Sequence, residues 1–185
     1  MRKDFGKQTW VLPQLVLIVG TYDRDGNADI MNAAWGGVYD ANTVMLCLDE
    51  SHKTTKNIAE NKAFTVSFGD VKNLAACDYV GIVSANSEPD KVKKSGFTTV
   101  KSNRVNAPVI NELPVALECR LIKFNEDGIV VGEIVNVCAD ESVLGADGKI
   151  DLDKLDLITF DPVHATYRRV GEKVGNAFSD GNKIK

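Results

Sequence analysis

Three short apolar segments separated by turns limit the possible folds of this chain most strongly. Residues 15–23 form a run of apolar and β-branched residues, which is typical of a buried strand. The run ends at the turn signal Asp-Arg-Asp-Gly-Asn, residues 23–27, and residues 28–35 are predicted to return as a second strand. That strand stops at Gly36 and Gly37, and residues 43–48 form a third. Three strands within about 35 residues predict a meander rather than an alternation of strands and helices.

The later segments predict further strands and a few short helices. Residues 51–62 have the pattern of a helix with Ser51 as its N-cap, although Thr54 replaces the Glu or Gln of a full capping box. A second helical pattern covers residues 71–83, and a short one covers residues 89–94, ended by Gly96 within a polar surface segment at 84–106. The further predicted strands are residues 63–68, 115–124 and 129–138, and a final β-rich stretch covers residues 157–160 and 165–169. About six or seven strands, closed so that no edge is exposed, predict a mainly β barrel with short peripheral helices.

Composition favours one globular domain over residues 1–185. Of the 185 residues, 44% are apolar, which is enough for a core without disulfides. The formal charge is −4 and the basic residues are not clustered, which disfavours a nucleic-acid-binding protein. The longest apolar run is far shorter than the roughly 20 residues that cross a bilayer, and Asp4 and Pro13 interrupt any signal-peptide core. We therefore expect a cytoplasmic protein that binds neither nucleic acid nor membrane.

Patterns for metal binding or nucleophilic catalysis are weak. The chain has four cysteines: Cys47, Cys77, Cys119 and Cys138. Their spacing is too wide for a zinc knuckle or a redox pair, and their apolar neighbours predict buried, unreactive thiols. We predict no metal site, and we interpret His164 as a packed or surface residue and residues 88–94 as a solvated charged face. Any catalysis would then depend on a cofactor.

The start of the first predicted helix is the strongest local signal for a ligand. The sequence Ser51, His52, Lys53, Thr54, Thr55 adds three hydroxyls and an ammonium to the free amides and partial positive charge of a helix N-terminus. These groups suit a phosphate monoester. The alternative is an ordinary capped helix with solvated polar residues. The glycine-rich approach of a Walker loop is missing.

A second signal lies at the end of the second strand, in the sequence Asn-Ala-Ala-Trp-Gly-Gly at residues 32–37. Small side chains allow a flat ring to approach the backbone, and Asn32 offers both a donor and an acceptor to the edge of such a ring. Packing explains the same residues equally well, with Trp35 as a core aromatic and the glycines as a turn.

Taken together and in order, several segments resemble the flavin reductase-like family, particularly its flavoredoxin branch. The segments are residues 16–23, 25–27, 30–37, 51–58, 64–68, 167–171 and 177–178. The resemblance implies an FMN-binding split β-barrel of the Greek-key type, which forms a homodimer with the flavin near the interface. That fold agrees with the barrel predicted from the strand pattern.

The resemblance also implies which residues contact FMN. Residues from Asn32 to Trp35 would lie along the isoalloxazine ring, and backbone atoms of residues 47–49 would pair with its polar edge. At the helix start, Lys53 would neutralise the phosphate charge and the threonines would donate hydrogen bonds, with His52 and Asn57 as weaker candidates. The full predicted set is Asn32, Ala33, Ala34, Trp35, Cys47, Leu48, Asp49, Ser51, His52, Lys53, Thr54, Thr55 and Asn57.

Three functions remain open from the sequence. The protein is either an oxidoreductase that passes electrons from NAD(P)H or a protein donor through FMN to an acceptor, or a flavin-bearing electron carrier that works only between proteins. A barrel without a cofactor is the third. The chain has no Gly-x-Gly-x-x-Gly dinucleotide fingerprint, so the donor stays open.

Overall fold

The computed structural model describes residues 1–125 and 127–184, and it consists mainly of β-strands joined by short helices. The strands are β1 (Gln14–Leu15), β2 (Leu17–Tyr22), β3 (Ala28–Ala33), β4 (Gly36–Asp40), β5 (Thr43–Cys47), β6 (Ala63–Phe68), β7 (Thr99–Lys101), β8 (Pro108–Ile110), β9 (Val115–Phe124), β10 (Ile129–Ala139), β11 (Ile158–Asp161) and β12 (Thr166–Arg169). The helices are α1 (Lys53–Asn61), α2 (Leu74–Ile82), α3 (Lys91–Ser95) and α4 (Leu152–Leu155), with 3₁₀ turns at Glu141–Val143 and Asp180–Ile184.

Seven strands form one antiparallel sheet that must curl into a barrel. Their order is β3-β2-β6-β9-β10-β5-β4, so β3 and β4 lie at opposite ends. In a flat sheet, six spacings of about 4.8 Å would hold these two strands about 29 Å apart. Only Ala34 and Trp35 connect them in the chain, and the step from Ala33 to Gly36 can span at most about 11 Å. The sheet therefore bends until its two ends approach each other without pairing, which confirms the predicted split barrel.

Burial of β2 on both faces explains its continuous apolar sequence. Leu17 and Val19 belong to the core inside the barrel, whereas Ile18 packs in a second core together with α2. Each of these side chains is at most 2% exposed. Full burial stabilises the fold by about 1.5–3 kcal/mol for a side chain of this size.

Helix α1 follows β5 and contacts β2 and β3. Its Ile58 is buried in the barrel core, while Asn57 donates a hydrogen bond to the Thr21 hydroxyl of β2 at 3.0 Å. Asn61 donates to the Tyr22 carbonyl at 2.6 Å. These contacts fix the N-terminus of α1 beside β3.

The positions of most predicted elements are confirmed, with several corrections. The single strand predicted over residues 15–23 is two, because β1 pairs with β11 and β2 pairs with β3 and β6. The glycines at 36 and 37 do not end a strand but begin β4, which pairs with β5. The hairpin β7–β8 was not predicted, so the described residues contain twelve strands and four α-helices rather than six or seven strands and two or three helices. Helix α1 has His52 as its N-cap, not Ser51.

The four cysteines are free thiols with two kinds of surroundings. Cys77 and Cys119 are buried as predicted, and burial raises the pKa of each thiol to about 12. Cys47 and Cys138 are only partly buried, which corrects the prediction for this pair. Over the described ranges, no cluster of three or more His, Cys, Asp or Glu side chains could hold a metal ion. The same ranges contain no helix long and apolar enough to cross a membrane.

Candidate functional site

A polar pocket of about 310 Å³ lies at the N-terminus of α1. Its wall is formed by β3, the start of α1, the end of α2 with the loop after it, and α3. The polar side chains on this wall are Asp29, Asn32, His52, Lys53, Thr54, Ser84 and Lys91. Four of the residues predicted to contact the cofactor therefore come together here: Asn32, His52, Lys53 and Thr54.

The N-cap side chain of α1 does not cap the first turn of this helix. The N-cap His52 has an extended backbone, and its side chain makes no capping hydrogen bond. Its Nδ1 atom is buried and has no hydrogen-bond partner among the described residues. Because the first amides of a helix lack partners within the helix, this end carries free N–H donors and a partial positive charge. A phosphate fits such a donor set.

The threonine hydroxyls at the helix start already have partners within the protein. Thr54 donates to Asp29 Oδ2 at 2.5 Å, and Thr55 donates to the Asp49 carbonyl at 2.8 Å. Both threonines are buried. Since a hydroxyl has one proton, donation to a phosphate would require each hydroxyl to leave its partner. The predicted role of these two hydroxyls stays a prediction.

Two lysines at this pocket each have an aspartate counter-ion. Lys53 Nζ lies 3.4 Å from Asp23 Oδ2, and Lys91 Nζ lies 3.5 Å from Asp29 Oδ1. Burial tends to raise the pKa of Asp23, but hydrogen bonds from Asn27, from the Asp25 amide and from Lys53 outweigh it and lower that pKa. Burial lowers the pKa of the Lys91 ammonium, and the Asp29 carboxylate partly offsets this effect. The interpretation of residues 88–94 as a solvated face is therefore wrong for Lys91, which is 3% exposed.

The remaining residues predicted at the helix start lie elsewhere on α1 or before it. Asn57 is buried and faces β2, where it bonds Thr21. Ser51 is exposed, and its amide donates to Asp49 Oδ1 at 2.8 Å. Hydrogen bonding from the Ser51 side chain, and then from this amide, lowers the pKa of Asp49. Their predicted contacts with FMN stay predictions.

Two pockets, the larger of them mainly apolar, border the two-residue connector between β3 and β4. One of about 570 Å³ is lined by Ala34, Trp35, Met45 and Cys47 together with N-terminal residues, and one of about 420 Å³ by Trp35, residues 47–50 and the β9–β10 turn. Trp35 is 57% exposed, so the alternative of a core aromatic is wrong. Ala33, by contrast, is buried in the barrel core. The connector thus presents an aromatic side chain at the split of the barrel.

Backbone groups after β5 border this region but are largely engaged. The Cys47 amide donates to the Trp35 carbonyl and the Leu48 amide to the Gly128 carbonyl, both at 2.8 Å. The Asp49 carbonyl accepts from the His52 amide at 3.2 Å and from the Thr55 hydroxyl. The predicted pairing of residues 47–49 with a ring edge stays a prediction.

A smaller apolar pocket, of about 190 Å³, is lined by Asp78 and Tyr167, a hydrogen-bonded pair that the sequence did not indicate. The Tyr167 hydroxyl donates to Asp78 Oδ1 at 2.7 Å, and burial together with this carboxylate raises the pKa of Tyr167. Asn32 lines this pocket as well as the polar one, and its amide donates to the Cys77 carbonyl at 3.1 Å. A Cβ on Gly81 would lie only 3.0 Å from Asn32 Cβ, so glycine allows α2 to approach β3 here. Asn32 therefore stands between a polar pocket and an apolar one.

Comparison with known proteins decides the family. The model of the flavin reductase like domain matches residues 10–155. The chain belongs to the flavin reductase-like family. The structure superposes on flavoredoxin of Desulfovibrio vulgaris (Miyazaki F) with a TM-score of 0.94 and 39% identity, covering 98% of this chain and 100% of that one. Flavoredoxin from Methanosarcina acetivorans gives a TM-score of 0.88 and 29% identity, with 100% of both chains covered.

Curated relatives match only part of this chain. An uncharacterized protein of Archaeoglobus fulgidus is 32% identical over 58% of this chain and 61% of its own length. An uncharacterized protein of Aeropyrum pernix is 26% identical over 64% of this chain and 46% of its own length. The match therefore spans about half of that protein. Another solved neighbour, from Shewanella baltica, is described as an FMN-binding domain of flavin reductase-like enzymes. The predicted family is confirmed by the match of the family model over residues 10–155.

Proposed function

We propose that this protein binds FMN and acts as an oxidoreductase, passing electrons from NAD(P)H or a protein donor through the flavin to an acceptor. When bound, FMN supplies the redox chemistry. The chain's own residues hold the phosphate, border the ring and limit the access of water. The single observation that supports this function best is the position of Asn32 on the wall of both the polar pocket at α1 and the apolar pocket that contains Asp78 and Tyr167.

Different residues fit the phosphate and the ring of FMN. His52, Lys53 and Thr54 at the start of α1 line the polar pocket, and the amides of a helix start together with an ammonium suit a phosphate. Asn32, Ala34 and Trp35 border the apolar pockets, where a flat ring can lie against small side chains. A barrel without a cofactor would leave His52 Nδ1 and the first amides of α1 without a ligand to bind.

FMN and riboflavin test the cofactor assignment because they share the ring and differ in the phosphate. In a fluorescence-quenching titration, we expect FMN to bind at least tenfold more tightly than riboflavin. Lys53→Met should weaken FMN binding, and the loss should shrink with added salt because the side chain is one-third exposed. Equal affinity for the two flavins would refute the phosphate site.

The electron donor separates the proposed enzyme from a carrier that works only between proteins. The carrier is favoured by the likeness to the chain named flavoredoxin, at 39% identity. Anaerobic mixing of the FMN-loaded protein with NADH or NADPH should bleach the flavin band if the protein is an NAD(P)H-dependent oxidoreductase. If neither nicotinamide reduces the flavin while a reduced ferredoxin-type protein does, the carrier function is correct.

A homodimer with the flavin near its interface is part of the proposal. Val38 and Tyr39 of β4 are 86% and 49% exposed, and β4 is an end strand of the sheet. Exposed apolar side chains on such an edge are typical of a protein–protein interface. The cytoplasmic location remains a prediction.

Light scattering tests the dimer directly. It should report about twice the 20.1 kDa chain mass. Val38→Asp should shift the protein toward monomer, whereas Val100→Asp, an exposed valine on β7, should not. A wild-type monomer at micromolar concentration with flavin fully bound would contradict this arrangement.

A further inference from the structure

Lys91 is a buried cation on the wall of the polar pocket. It begins the short helix α3, yet its side chain is only 3% exposed, whereas Lys93 and Lys94 on the same helix are exposed. Burying an ammonium costs several kcal/mol of solvation unless nearby groups replace the water. An apolar residue at this position would avoid that cost. The buried ammonium therefore needs a partner that compensates for the lost water.

The only ion pair of Lys91 in the described part of the chain is a poor replacement for water. Asp29 Oδ1 lies 3.5 Å from Lys91 Nζ, and this oxygen has no hydrogen-bond partner among the described residues. The other oxygen of Asp29 accepts the Thr54 hydroxyl at 2.5 Å. Buried ion pairs stabilise a fold only when their geometry is good and their remaining donors are satisfied. Here the 3.5 Å separation is long for an ion pair, and Asp29 Oδ1 is left without a hydrogen bond among the described residues.

The missing partner is an anion in the pocket itself. Lys91 lines the cavity together with Lys53 and the first turn of α1, so one ligand there can reach both cations and the helix amides. Lys53 is one-third exposed, and its charge is therefore screened by solvent. Lys91 is buried, so water reduces its attraction for an anion much less.

We propose that Lys91 is the buried counter-charge of the FMN phosphate, and that Asp29 holds the ammonium in place until the phosphate replaces it as the partner. This inference rests on the proposed function. Its consequence is that Lys91 favours the phosphorylated flavin, while the Asp29 carboxylate repels the phosphate and limits the affinity. The pair then makes the site selective for a phosphate and keeps the cofactor exchangeable.

Four variants separate this role from a structural one. Lys91→Met removes the buried charge at similar length, and Lys93→Met is the matched control on the exposed face of α3. Asp29→Asn removes the competing carboxylate. The double variant Lys91→Met, Asp29→Asn removes both charges and guards against unfolding caused by an unpaired buried aspartate.

Each variant is titrated with FMN and with riboflavin by fluorescence quenching. The melting temperature of the flavin-free protein is measured with inorganic phosphate against sodium chloride of equal ionic strength. Lys91→Met should lose at least tenfold in FMN affinity with riboflavin affinity changed less than twofold, and the double variant should do the same. Asp29→Asn should bind FMN at least threefold more tightly. Phosphate should raise the melting temperature of the wild type and of Lys93→Met but not of Lys91→Met.

Three results would overturn the inference: equal losses for FMN and riboflavin in both Lys91 variants, a loss in Lys93→Met as large as in Lys91→Met, or weaker FMN binding in Asp29→Asn. If the wild type binds neither flavin, the proposed function fails. The phosphate measurement then still decides whether Lys91 serves an anion.

Discussion

Thr54 tests whether the helix start supports the fold or offers its hydroxyl to a ligand. Thr54→Val keeps the side-chain volume and removes the hydroxyl that donates to Asp29 Oδ2. Both residues are buried, at 2% exposure each, so water cannot replace the lost bond without opening the structure. A hydrogen bond to a charged group contributes about 1.5–3 kcal/mol, and the variant should lose that much free energy of unfolding. For a chain of this length, 1 kcal/mol corresponds to about 2–4 °C, so the melting temperature should fall by about 3–12 °C.

Thermal and urea unfolding of the flavin-free protein measure this effect. The urea midpoint should fall with the slope unchanged, because the denatured state is not altered. Thr166→Val, on an exposed position of β12, is the matched control and should change the stability by less than about 0.5 kcal/mol. If the melting temperature of Thr54→Val lies within about 1 °C of the wild type, the shift is no larger than that of the control. The bond to Asp29 then does not stabilise the fold. The hydroxyl is then free for a phosphate, as the family resemblance implies.

Further variants probe the core, the acid response and the apolar pocket. In Gly132→Ala the new methyl would overlap the Phe64 ring, within 2.7 Å of Cε1, and overpacking should lower the free energy of unfolding by about 1–3 kcal/mol; an unchanged urea midpoint would show that the ring can shift. The pKa of Asp23 is lowered in the folded state, so its carboxylate stabilises the fold above its ordinary pKa of 3.8 and this stabilisation is lost as the pH falls below that value. Asp23→Asn should therefore show a smaller loss of stability than the wild type between pH 5 and pH 3, a window of about two units around that ordinary pKa, in acid titrations of unfolding. Tyr167→Phe leaves Asp78 without its donor and should weaken FMN and riboflavin binding by similar factors; a loss confined to FMN would contradict its place on the ring side.

Elements whose structure is determined by their own local sequence were predicted from that sequence. The continuous apolar sequence that contains β2 is one such pattern, although it did not separate β1 from β2. The apolar patterns of residues 115–124 and 129–138 are two more, and they match β9 and nearly all of β10. Closure of the barrel also followed, since many short antiparallel strands favour it. Strand β4 was missed because Gly36 and Gly37 are a turn signal in isolation, and only the pairing with β5 makes them extended.

The parts of the site that escaped prediction depend on contacts between distant residues. Lys91 looks solvated within its own charged segment, and its burial follows from the position of β3 and Asp29 in space. Asp78 and Tyr167 are separated by 89 residues, so no spacing could join them. The helix start was found because its hydroxyls and lysine are consecutive, but their orientation toward Asp29 and Asp49 is a tertiary property.

The connector of Ala34 and Trp35 sets the width of the opening in the barrel by covalent length rather than by side-chain packing. Side chains can rearrange when a larger ring enters, but the three peptide units between Ala33 and Gly36 cannot stretch. One inserted residue would allow the two end strands to separate by up to about 3.5 Å more. The number of residues in this connector therefore limits the thickness of a ligand that fits between the two end strands. That number can change without altering any strand.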